Sequence, residues 1–442
     1  MVNFSQYGVA VPEILLPKKI DLEKWAVIAC DQYTQDKAYW KRAADIAGSE
    51  PSTLNVIFPE VYLADADKDE RIGKIKETMD AYLKKDVFAP AEKEFIYIER
   101  KTEYGRTRKG LIVAVDLDTY EWKPFSKALI RATEATVPER IPPRMKIRTD
   151  APLELPHIML LADDPDDALV GKTGSLVKSE KPVYDGDLQQ QSGHITGWAV
   201  RDEKAMAHIQ DALSAIAKKG TDADGNTFLF AVGDGNHSLA TAKAVWDEHK
   251  KTLAAQGKSD AEIAQSPVRY ALVEIVNIYD EGLTFEPIHR VVFNADNAGL
   301  LAFIAQKLDG EVQAVATASE LEKLVADKTA SGARYGFVTT AGGKTTYTLL
   351  QTASTDLAIA SLQPALDDFI KENSGIEIDY IHGTEETVEL GSKDGQMGIL
   401  LPPIAKDSFF ATINGRGPLP RKSFSMGEAS EKRFYVEARR LF

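Results

Sequence analysis

The sequence has a single cysteine, Cys30, so an intrachain disulfide is impossible and a cysteine-rich metal site is excluded. No stretch approaches the roughly 18 consecutive apolar residues that a membrane-spanning helix needs. Basic residues are not in excess: the net charge is −14, which argues against nonspecific binding to DNA or RNA. The first residues lack the basic and apolar regions of a secretory signal. We therefore expect a cytoplasmic protein for which a membrane and nucleic acid are not partners.

The composition is that of an ordinary globular protein, with 44% hydrophobic and 27% charged residues in a chain of 442. Strand-like and helix-like stretches are mixed without a repeated βαβ rhythm, which predicts an α/β to α+β fold with mixed sheets. We divide the chain into an N-terminal α+β region (1–128), a central core (129–296), a small α+β insert (297–350) and a C-terminal α+β region that packs back on the core (351–442).

Local patterns predict individual elements. Residues 24–30 and 51–63 are predicted as strands, and 95–100 and 110–118 as an antiparallel pair joined by a turn-rich link. The nearly continuous apolar run over 267–279 predicts a strand buried on both faces. The insert is predicted to contain a helix, a strand, a second helix and two more strands in that order.

The stretch TFLFAVGDGNHSLATAK predicts a buried strand, a tight polar turn and a long helix from Ser238. Gly233, Gly235 and Asn236 allow the turn to take positive φ angles and to approach a ligand closely. The start of a helix leaves N–H groups without helical partners, and the helix dipole adds positive potential there. We therefore predict that the turn and the first residues of the helix bind an anion, typically a phosphate.

Asp234 and His237 add a carboxylate and an imidazole to the same turn. Side chains of this kind orient or deprotonate an attacking hydroxyl or water, so both are candidate catalytic residues, and Asp234 is a candidate metal ligand. A glycine-rich turn between a strand and a helix is also a common structural joint. The crowding of Asp, Asn and His favours the functional interpretation, because a plain joint would not need them.

A second informative segment, 129–148, is locally basic in an acidic protein and contains Arg131, Arg140, Arg144, Lys146 and Arg148 around Glu134. Its prolines predict an open loop. Arginine forks suit bidentate phosphate recognition, so Arg131 and Arg148 are candidate phosphate ligands. Glu134 is a candidate catalytic or metal-binding acid. We expect Arg131 and Glu134 to converge on the glycine-rich turn. The alternative is a solvated loop whose arginines pair with surface acids.

Three further positions are weaker candidates for ligand contact. Asp31 follows a predicted strand, where site residues of α/β folds are common, although it could equally cap the next helix. His289 and Arg290 lie between apolar flanks, and either a structural or a ligand-binding role fits them. Cys30 is expected to be a buried small hydrophobe.

The motifs KWAVIACDQYT, PSTLNVIFPEVYL, LIRATEATVPER, LELPHIML, AVGDGNHSLATAK and LTFEPIHRVVF occur in this order. With them the chain resembles, over nearly its whole length, a large family of bacterial and archaeal proteins of unknown function, often loosely labelled SpoOJ/ParA/ParB/RepB-like. The DNA-partitioning label deserves little weight, because no helix-turn-helix or basic stripe is visible.

The turn also resembles the Asp-Gly-His-His-Arg or Gly-x-x-His-Arg turn of the wider ParB and sulfiredoxin-like group, which includes an ADP-dependent serine kinase. In that group the turn and the helix start hold nucleotide phosphates. Asp234, Gly235 and His237 match the pattern, whereas Asn236 replaces the first His and Ser238 replaces the Arg, which takes away one charged phosphate ligand. The resemblance implies a ParB/sulfiredoxin-like phosphate-binding strand-turn-helix and a nucleotide such as ADP, ATP or CTP.

These observations together predict an enzyme acting on a phosphorylated small molecule or nucleotide, by phosphoryl transfer or phosphate-ester hydrolysis. The resemblance adds a link to serine or phosphoserine. Phosphoryl transfer depends mostly on positioning and on charge neutralisation. Mg²⁺ is a candidate cofactor, since phosphate sites recruit it through one or two acids. The alternative is a non-catalytic nucleotide- or metabolite-binding regulatory protein with the same pocket. A homo-oligomer is compatible with either function.

Overall fold

The computed structural model describes residues 2–19 and 21–442 of the chain. The fold has two compact units. Unit 1 comprises Met1–Leu283 and Gly427–Phe442, and unit 2 comprises Thr284–Met426. The chain thus builds most of unit 1, then unit 2, and returns to unit 1 for its last residues. The finer division into four segments stays a prediction. Among the described residues, no helix combines the length and the apolar character needed to cross a membrane.

Strands and helices alternate irregularly along the chain. In chain order the strands are β1 Val9–Ala10, β2 Glu13–Ile14, β3 Glu92–Lys93, β4 Phe95–Lys101, β5 Thr107–Asp116, β6 Tyr120–Glu121, β7 Ile130–Ala132, β8 Leu153–Glu154, β9 Met159–Ala162, β10 Tyr184–Asp187, β11 His194–Val200, β12 Phe230–Asp234, β13 Tyr270–Asn277, β14 Phe285–Phe293, β15 Glu311–Val315, β16 Arg334–Ala341, β17 Lys344–Gln351, β18 Glu377–His382, β19 Gln396–Leu400, β20 Phe424–Met426 and β21 Arg439–Arg440.

The helices are α1 Leu22–Trp25, α2 Lys37–Ala47, α3 Lys68–Lys84, α4 Ile141–Arg148, α5 Gly171–Val177, α6 Glu203–Lys219, α7 Asn236–Ala255, α8 Asp260–Ala264, α9 Asn297–Lys307, α10 Ala318–Val325, α11 Ala358–Glu372, α12 Thr384–Gly391 and α13 Lys406–Arg416. Parallel and antiparallel strands share one sheet of unit 1. The predicted α/β to α+β fold with mixed sheets is therefore confirmed.

The main sheet of unit 1 has the strand order β10-β11-β4-β5-β13-β9-β12-β7-β6, with β1 beside β5. β12 runs parallel to β7 and antiparallel to β9, whereas β13 runs parallel to β9 and antiparallel to β5. β13 is buried along almost its whole length, as its apolar run predicts. The predicted antiparallel pairing is confirmed in β4 and β5.

The sheet of unit 2 has the order β15-β17-β16-β19-β14-β18, with β20 beside β14. Neighbouring strands along this order run antiparallel, and so do β14 and β20. The elements α9, β15, α10, β16 and β17 follow one another in the order predicted for the insert. A small core of Leu321, Val338, Leu349 and Leu400 packs between α10 and the sheet.

The last residues of the chain run through the interior of unit 1. Arg433, Tyr435 and Glu437 are each at most 2% exposed, and Tyr435 N donates to Val27 O at 2.9 Å. The Arg433 guanidinium pairs with Glu274, at 2.9 Å between Nη1 and Oε2, and with Glu437. A buried charge is tolerated when it is paired and hydrogen-bonded. The C-terminal segment is therefore an internal part of unit 1.

The strand predicted over 51–63 is wrong, because the segment forms 3₁₀ turns at Thr53–Val56 and Glu60–Tyr62. Ser52 Oγ accepts a hydrogen bond from Leu54 N at 3.3 Å, and such local bonds compete with sheet pairing.

The strand predicted over 24–30 is also wrong. Helix α1 includes Trp25, and Ile28 makes an isolated bridge with Phe434. The partner of this apolar stretch is the distant C-terminal segment.

The open loop predicted over 129–148 contains β7 and helix α4. Pro142 and Pro143 lie in the first turn of α4. The N–H groups that proline lacks would have no helical partner at these positions, so the two residues start the helix and do not break it.

Candidate functional site

The predicted strand-turn-helix lies in the main sheet of unit 1, where β12 leads into α7. The helix begins at Asn236, two residues earlier than expected. Gly235 precedes it with φ of 81°, and a Cβ atom there would lie 3.0 Å from Ile158 Cγ1. Both the backbone conformation and the lack of space require glycine. No side chain caps the start of α7, so its first N–H groups are not satisfied in the usual way.

The segment after β7 lies against this turn. Thr133 N donates to Asn236 Oδ1 at 3.3 Å, and Val137 N donates to His237 Nε2 at 3.2 Å. His237 Nε2 thus accepts a backbone hydrogen bond, which orients the ring at the start of α7. In the sequence, Glu134 lies between Thr133 and Val137, which make these two contacts, and its side chain is half-buried. The structure therefore brings the Glu134 segment to the turn.

The Arg131 side chain points toward the end of strands β7 and β12 that lies opposite the turn. Its Nε donates to Ala128 O at 2.8 Å, and its guanidinium lies 4.5 Å from the centre of the Phe228 ring. Ala128 and Phe228 precede β7 and β12, which run parallel, whereas the turn follows β12. These contacts place the Arg131 guanidinium away from the turn. Sequence alone does not show which way a strand residue directs a long side chain.

Ser238, in the first turn of α7, takes part in a chain of hydrogen bonds. Its Oγ lies 2.8 Å from His157 Nε2, and His157 Nδ1 lies 2.9 Å from the Tyr435 hydroxyl. His157 and Tyr435 are buried, at 8% and 2% exposed. The hydroxyl, imidazole and phenol are thus held in a fixed order, the arrangement in which a histidine exchanges a proton with a hydroxyl.

Asp31 and Cys30 lie beside this chain. Asp31 Oδ2 is 4.0 Å from His157 Nε2, and Cys30 N donates to the Tyr435 hydroxyl at 3.1 Å. Burial raises the pKa of the Cys30 thiol, and the nearby Asp31 and Glu60 carboxylates raise it further. A thiol in this state is a poor nucleophile. Cys30 is therefore a structural neighbour of the hydrogen-bonded chain, and Asp31 joins the predicted site through His157.

A lysine from the C-terminal segment reaches the turn. Lys432 Nζ lies 3.3 Å from Asp234 Oδ2, and the two side chains are 11% and 19% exposed. The second oxygen, Asp234 Oδ1, accepts a hydrogen bond from Gly235 N at 3.0 Å. Asp234 thus shapes the turn and fixes the ammonium group beside the start of α7.

A cavity of unit 1 adjoins the hydrogen-bonded chain. It measures about 140 Å³, counted over the positions that the centre of a water molecule can take. Ser238, His157 and Tyr435 line it together with Thr241, and so do the two arginines 144 and 148 from the predicted basic segment. Most of the remaining wall is apolar. Of the residues predicted as ligand-binding, Ser238 and Arg148 therefore line this cavity.

Both arginines of the cavity wall are paired. Arg144 Nη2 lies 2.5 Å from Glu60 Oε1, and Arg148 Nη2 lies 2.7 Å from Glu154 Oε1. Glu154 also pairs with Arg439 at 2.5 Å. Although burial raises the pKa of the Glu154 carboxyl, Arg148 and Arg439 hold it below its usual range. The arginines of the basic segment thus pair with acids, as the alternative interpretation predicts, but Glu60 is half-buried and Glu154 is buried, so neither acid lies on the open surface.

His289 and Arg290 belong to β14 in unit 2, whereas the turn belongs to unit 1. His289 Nδ1 accepts from Leu401 N at 3.0 Å, and Arg290 Nε donates to Gln363 Oε1 at 3.0 Å. Burial, together with Arg290 and His382, lowers the pKa of His289 to about 4. Both side chains are buried in the interior of unit 2.

This depressed pKa predicts a loss of stability in acid. The unfolded chain, with a histidine pKa of 6.5, binds more protons than the folded chain, so stability falls as the pH decreases from 6.5 to about 4. The loss attributable to His289 reaches about 3 kcal/mol. Unfolding of wild type and His289→Gln, followed at pH 7.5 and at pH 4.5, measures it. An equal pH dependence in both proteins would contradict the assignment.

A family model described as "Protein of unknown function (DUF1015)" matches residues 14–369. The chain belongs to this family. The resemblance to a family of unknown function is thereby confirmed. No curated protein matches the sequence.

Solved structures similar to this DUF1015 protein include a free serine kinase mutant in complex with AMP, at 10% identity, covering 74% of this chain and 90% of that chain with a TM-score of 0.38. A conserved hypothetical protein from Pyrococcus furiosus has 12% identity, covers 75% and 97% of the two chains and gives a TM-score of 0.34. SbnI from Staphylococcus aureus, truncated at its C-terminus, has 9% identity, covers 74% and 82%, and gives 0.32. TM-scores this low do not bear on function.

Three residues at the site of this DUF1015 protein were not predicted as site residues: His157, Lys432 and Tyr435. His157 precedes β9 in the LELPHIML motif, and a polar residue there was the one available signal. Lys432 and Tyr435 come from the C-terminal segment, and His157 and Tyr435 are 278 positions apart. No local pattern in the sequence indicates such a distant pairing.

Proposed function

We propose that this protein is an enzyme that binds a phosphorylated small molecule or nucleotide at the start of α7 and transfers or hydrolyses its phosphoryl group. One observation carries the proposal: the Ser238 hydroxyl, in the first turn of an uncapped helix, lies 2.8 Å from a buried His157 whose other nitrogen is held by Tyr435. An anion-binding position and an acid–base pair therefore meet at one residue.

The proposed anion-binding position is the start of α7. The first N–H groups of α7 and the positive end of its dipole favour a phosphate, and Gly235 allows the close approach. Lys432, mostly buried beside Asp234, adds a full positive charge. In a partly desolvated position such a charge is screened less than on an open surface. We propose that Asp234 positions the lysine and that His237 and Glu134 help to orient the phosphate or a water molecule.

The proposed acid–base pair consists of Ser238 and His157. We propose that Ser238 Oγ attacks phosphorus while its proton moves to His157 Nε2. The bond from phosphorus to the leaving oxygen breaks, and that oxygen takes the proton from His157. Water or an acceptor hydroxyl then gives its proton to His157 and attacks the phosphorus. The bond from phosphorus to Ser238 Oγ breaks, and Oγ takes the proton back from His157, which restores both residues. Tyr435 holds the imidazole orientation, the third role in a nucleophile–base–orienter arrangement.

The described residues contain no group of three or more His, Cys, Asp or Glu side chains that could hold a metal ion, although Mg²⁺ at a phosphate needs only one or two acids. At Asp234, Mg²⁺ does not fit. Asp234, which is one of the two predicted metal ligands together with Glu134, has one oxygen on Gly235 N and the other beside Lys432, and a cation would be repelled by that ammonium. The proposed reaction therefore uses no metal at Asp234.

A ligand panel tests the proposed function. Wild type is mixed with ATP, ADP, CTP, phosphoserine and inorganic phosphate; thermal shift detects binding and phosphorus NMR detects turnover. We expect Ser238→Ala to lose turnover, because the variant lacks the attacking oxygen. Ser175→Ala, an exposed serine of α5, is the matched control and should behave as wild type. Turnover that persists in Ser238→Ala would exclude the serine as nucleophile.

Lys432→Gln is expected to weaken binding of inorganic phosphate about tenfold or more, because a hydrogen bond to a charged group contributes roughly 1.5–3 kcal/mol. Isothermal titration at low salt measures the change. The exposed Lys218 of α6 provides the control, Lys218→Gln, which alters net charge equally. If both variants bind phosphate alike, Lys432 is not a phosphate ligand.

A further inference from the structure

The cavity beside Ser238 is walled mainly by hydrocarbon. Phe58, Met79, Leu153 and Leu272 line it, and each is at most 5% exposed. They come from separate parts of the chain: the segment between the two 3₁₀ turns, α3, β8 and β13. A volume of about 140 Å³ is many times the roughly 10–15 Å³ that one water needs. The space is thus large enough for part of a small organic molecule.

The charged groups of the wall form ion pairs, and Arg148 Nε is buried without a hydrogen-bond partner among the described residues. Arg144 is held by Glu60, and Glu154 lies between Arg148 and Arg439. Leu272 N also donates to Glu154 at 3.2 Å. A sugar or nucleoside placed among these groups would bury hydroxyls that compete for existing partners, which costs free energy. A hydrocarbon group needs no such partner and gains from leaving water.

The polar groups of the wall that belong to the proposed chemistry are Ser238, in the first turn of α7, and the hydrogen-bonded His157 and Tyr435. Of α7, Ser238 and Thr241 line the cavity, so a ligand that reaches from the helix start past Ser238 into it has a phosphate at the helix start and an apolar body against Phe58, Met79 and Leu272. We infer that the substrate is a phosphate ester of a small, mainly hydrocarbon alcohol, with its hydrocarbon body in this cavity. This inference rests on the proposed function, and it assigns the cavity to the alcohol and not to a nucleoside.

A chain-length series tests the inference. The affinities of wild type for unbranched alkyl phosphates, from methyl to hexyl, are measured by isothermal titration beside inorganic phosphate. Each methylene that enters the cavity should strengthen binding about fourfold until the space is full. The same affinity from methyl to hexyl phosphate would overturn the inference.

Two variants test whether the dependence of affinity on chain length arises in the cavity. Ala151 is 2% exposed and lines the cavity, so Ala151→Leu should fill it and remove the dependence on chain length while inorganic phosphate still binds. Met79→Ala enlarges the same space and should extend the dependence to longer chains, which keeps the test valid if Ala151→Leu does not fold. Ala254→Leu, on the exposed end of α7, should leave the series unchanged.

The outcomes separate this inference from the proposed function. If inorganic phosphate binds and the affinity of the alkyl phosphates does not change with chain length, the proposed function stands and the hydrocarbon assignment is overturned. If affinity depends on chain length but Ala151→Leu and Met79→Ala do not alter that dependence, the hydrocarbon body binds elsewhere. This result also overturns the assignment of the cavity. If neither phosphate nor any ester binds, the proposed function fails, and the inference fails with it.

Discussion

Replacing His157 with glutamine is expected to lower turnover of the phosphorylated substrate by about 10²–10⁴-fold, the range for loss of a positioned acid–base group. The His157 imidazole is within hydrogen-bonding distance of the Ser238 hydroxyl, at 2.8 Å between Nε2 and Oγ. Glutamine keeps a hydrogen-bonding side chain in the space but cannot carry the proton from one oxygen to another. Single-turnover kinetics at saturating substrate isolate the chemical step from binding.

Tyr435→Phe separates the role of His157 from that of its support. The phenyl ring preserves the packing of a residue that is 2% exposed, and only the hydroxyl 2.9 Å from His157 Nδ1 is removed. We expect a smaller loss of rate and an altered pH profile, because the imidazole loses the partner that sets its tautomer. Full activity in His157→Gln would show that the hydrogen-bonded chain is structural.

Glu274→Ala is expected to destabilise unit 1 by about 3–5 kcal/mol, the usual result of removing one partner from a buried ion pair. Glu274 is fully buried; its Oε1 is 3.0 Å from Arg108 Nε, and its Oε2 is 2.9 Å from Arg433 Nη1. Although burial raises the pKa of the Glu274 carboxyl, the two guanidinium groups hold it below its usual range. Alanine would leave both arginines buried without this carboxylate. Urea unfolding followed by tryptophan fluorescence measures the loss.

The control for Glu274→Ala is Glu180→Ala, an exposed glutamate of unit 1, which should change stability by no more than about 0.5 kcal/mol. Glu274→Gln keeps the volume and one hydrogen-bonding oxygen, so its effect should fall between the two. Equal unfolding midpoints for Glu274→Ala and Glu180→Ala would mean that water or other groups solvate the arginines.

Local chemistry made part of the fold predictable. The glycines and polar residues of one short turn identify β12 and α7. Asp202 caps α6 by a local contact of the same kind, in which its Oδ1 accepts from Ala205 N at 2.9 Å. The strands β4 and β5 pair because both are apolar and joined by a short link. In each case the interactions that define the element lie within a few residues.

The remaining features depend on distant partners. Ile28 pairs with Phe434 across the chain, so the stretch around it is neither a strand of the main sheet nor predictable from its neighbours. Arg131 sits in a segment that reaches the turn, yet its side chain bonds to Ala128 O at the opposite end. Lys432 and Tyr435 enter the site only because the C-terminal segment returns to unit 1. Composition and periodicity carry no information about such returns.

Phosphate binding at the start of α7 is tested by a nitrogen–proton NMR titration of the isotope-labelled full chain with inorganic phosphate. We expect the backbone amides of Asn236, His237 and Ser238 to shift the most, because a phosphate at the start of α7 accepts hydrogen bonds from these groups. In Lys432→Gln the same amides should shift only at higher phosphate concentration. Saturable shifts confined to other residues, with these three amides unmoved, would contradict the claim that the start of α7 is the phosphate site.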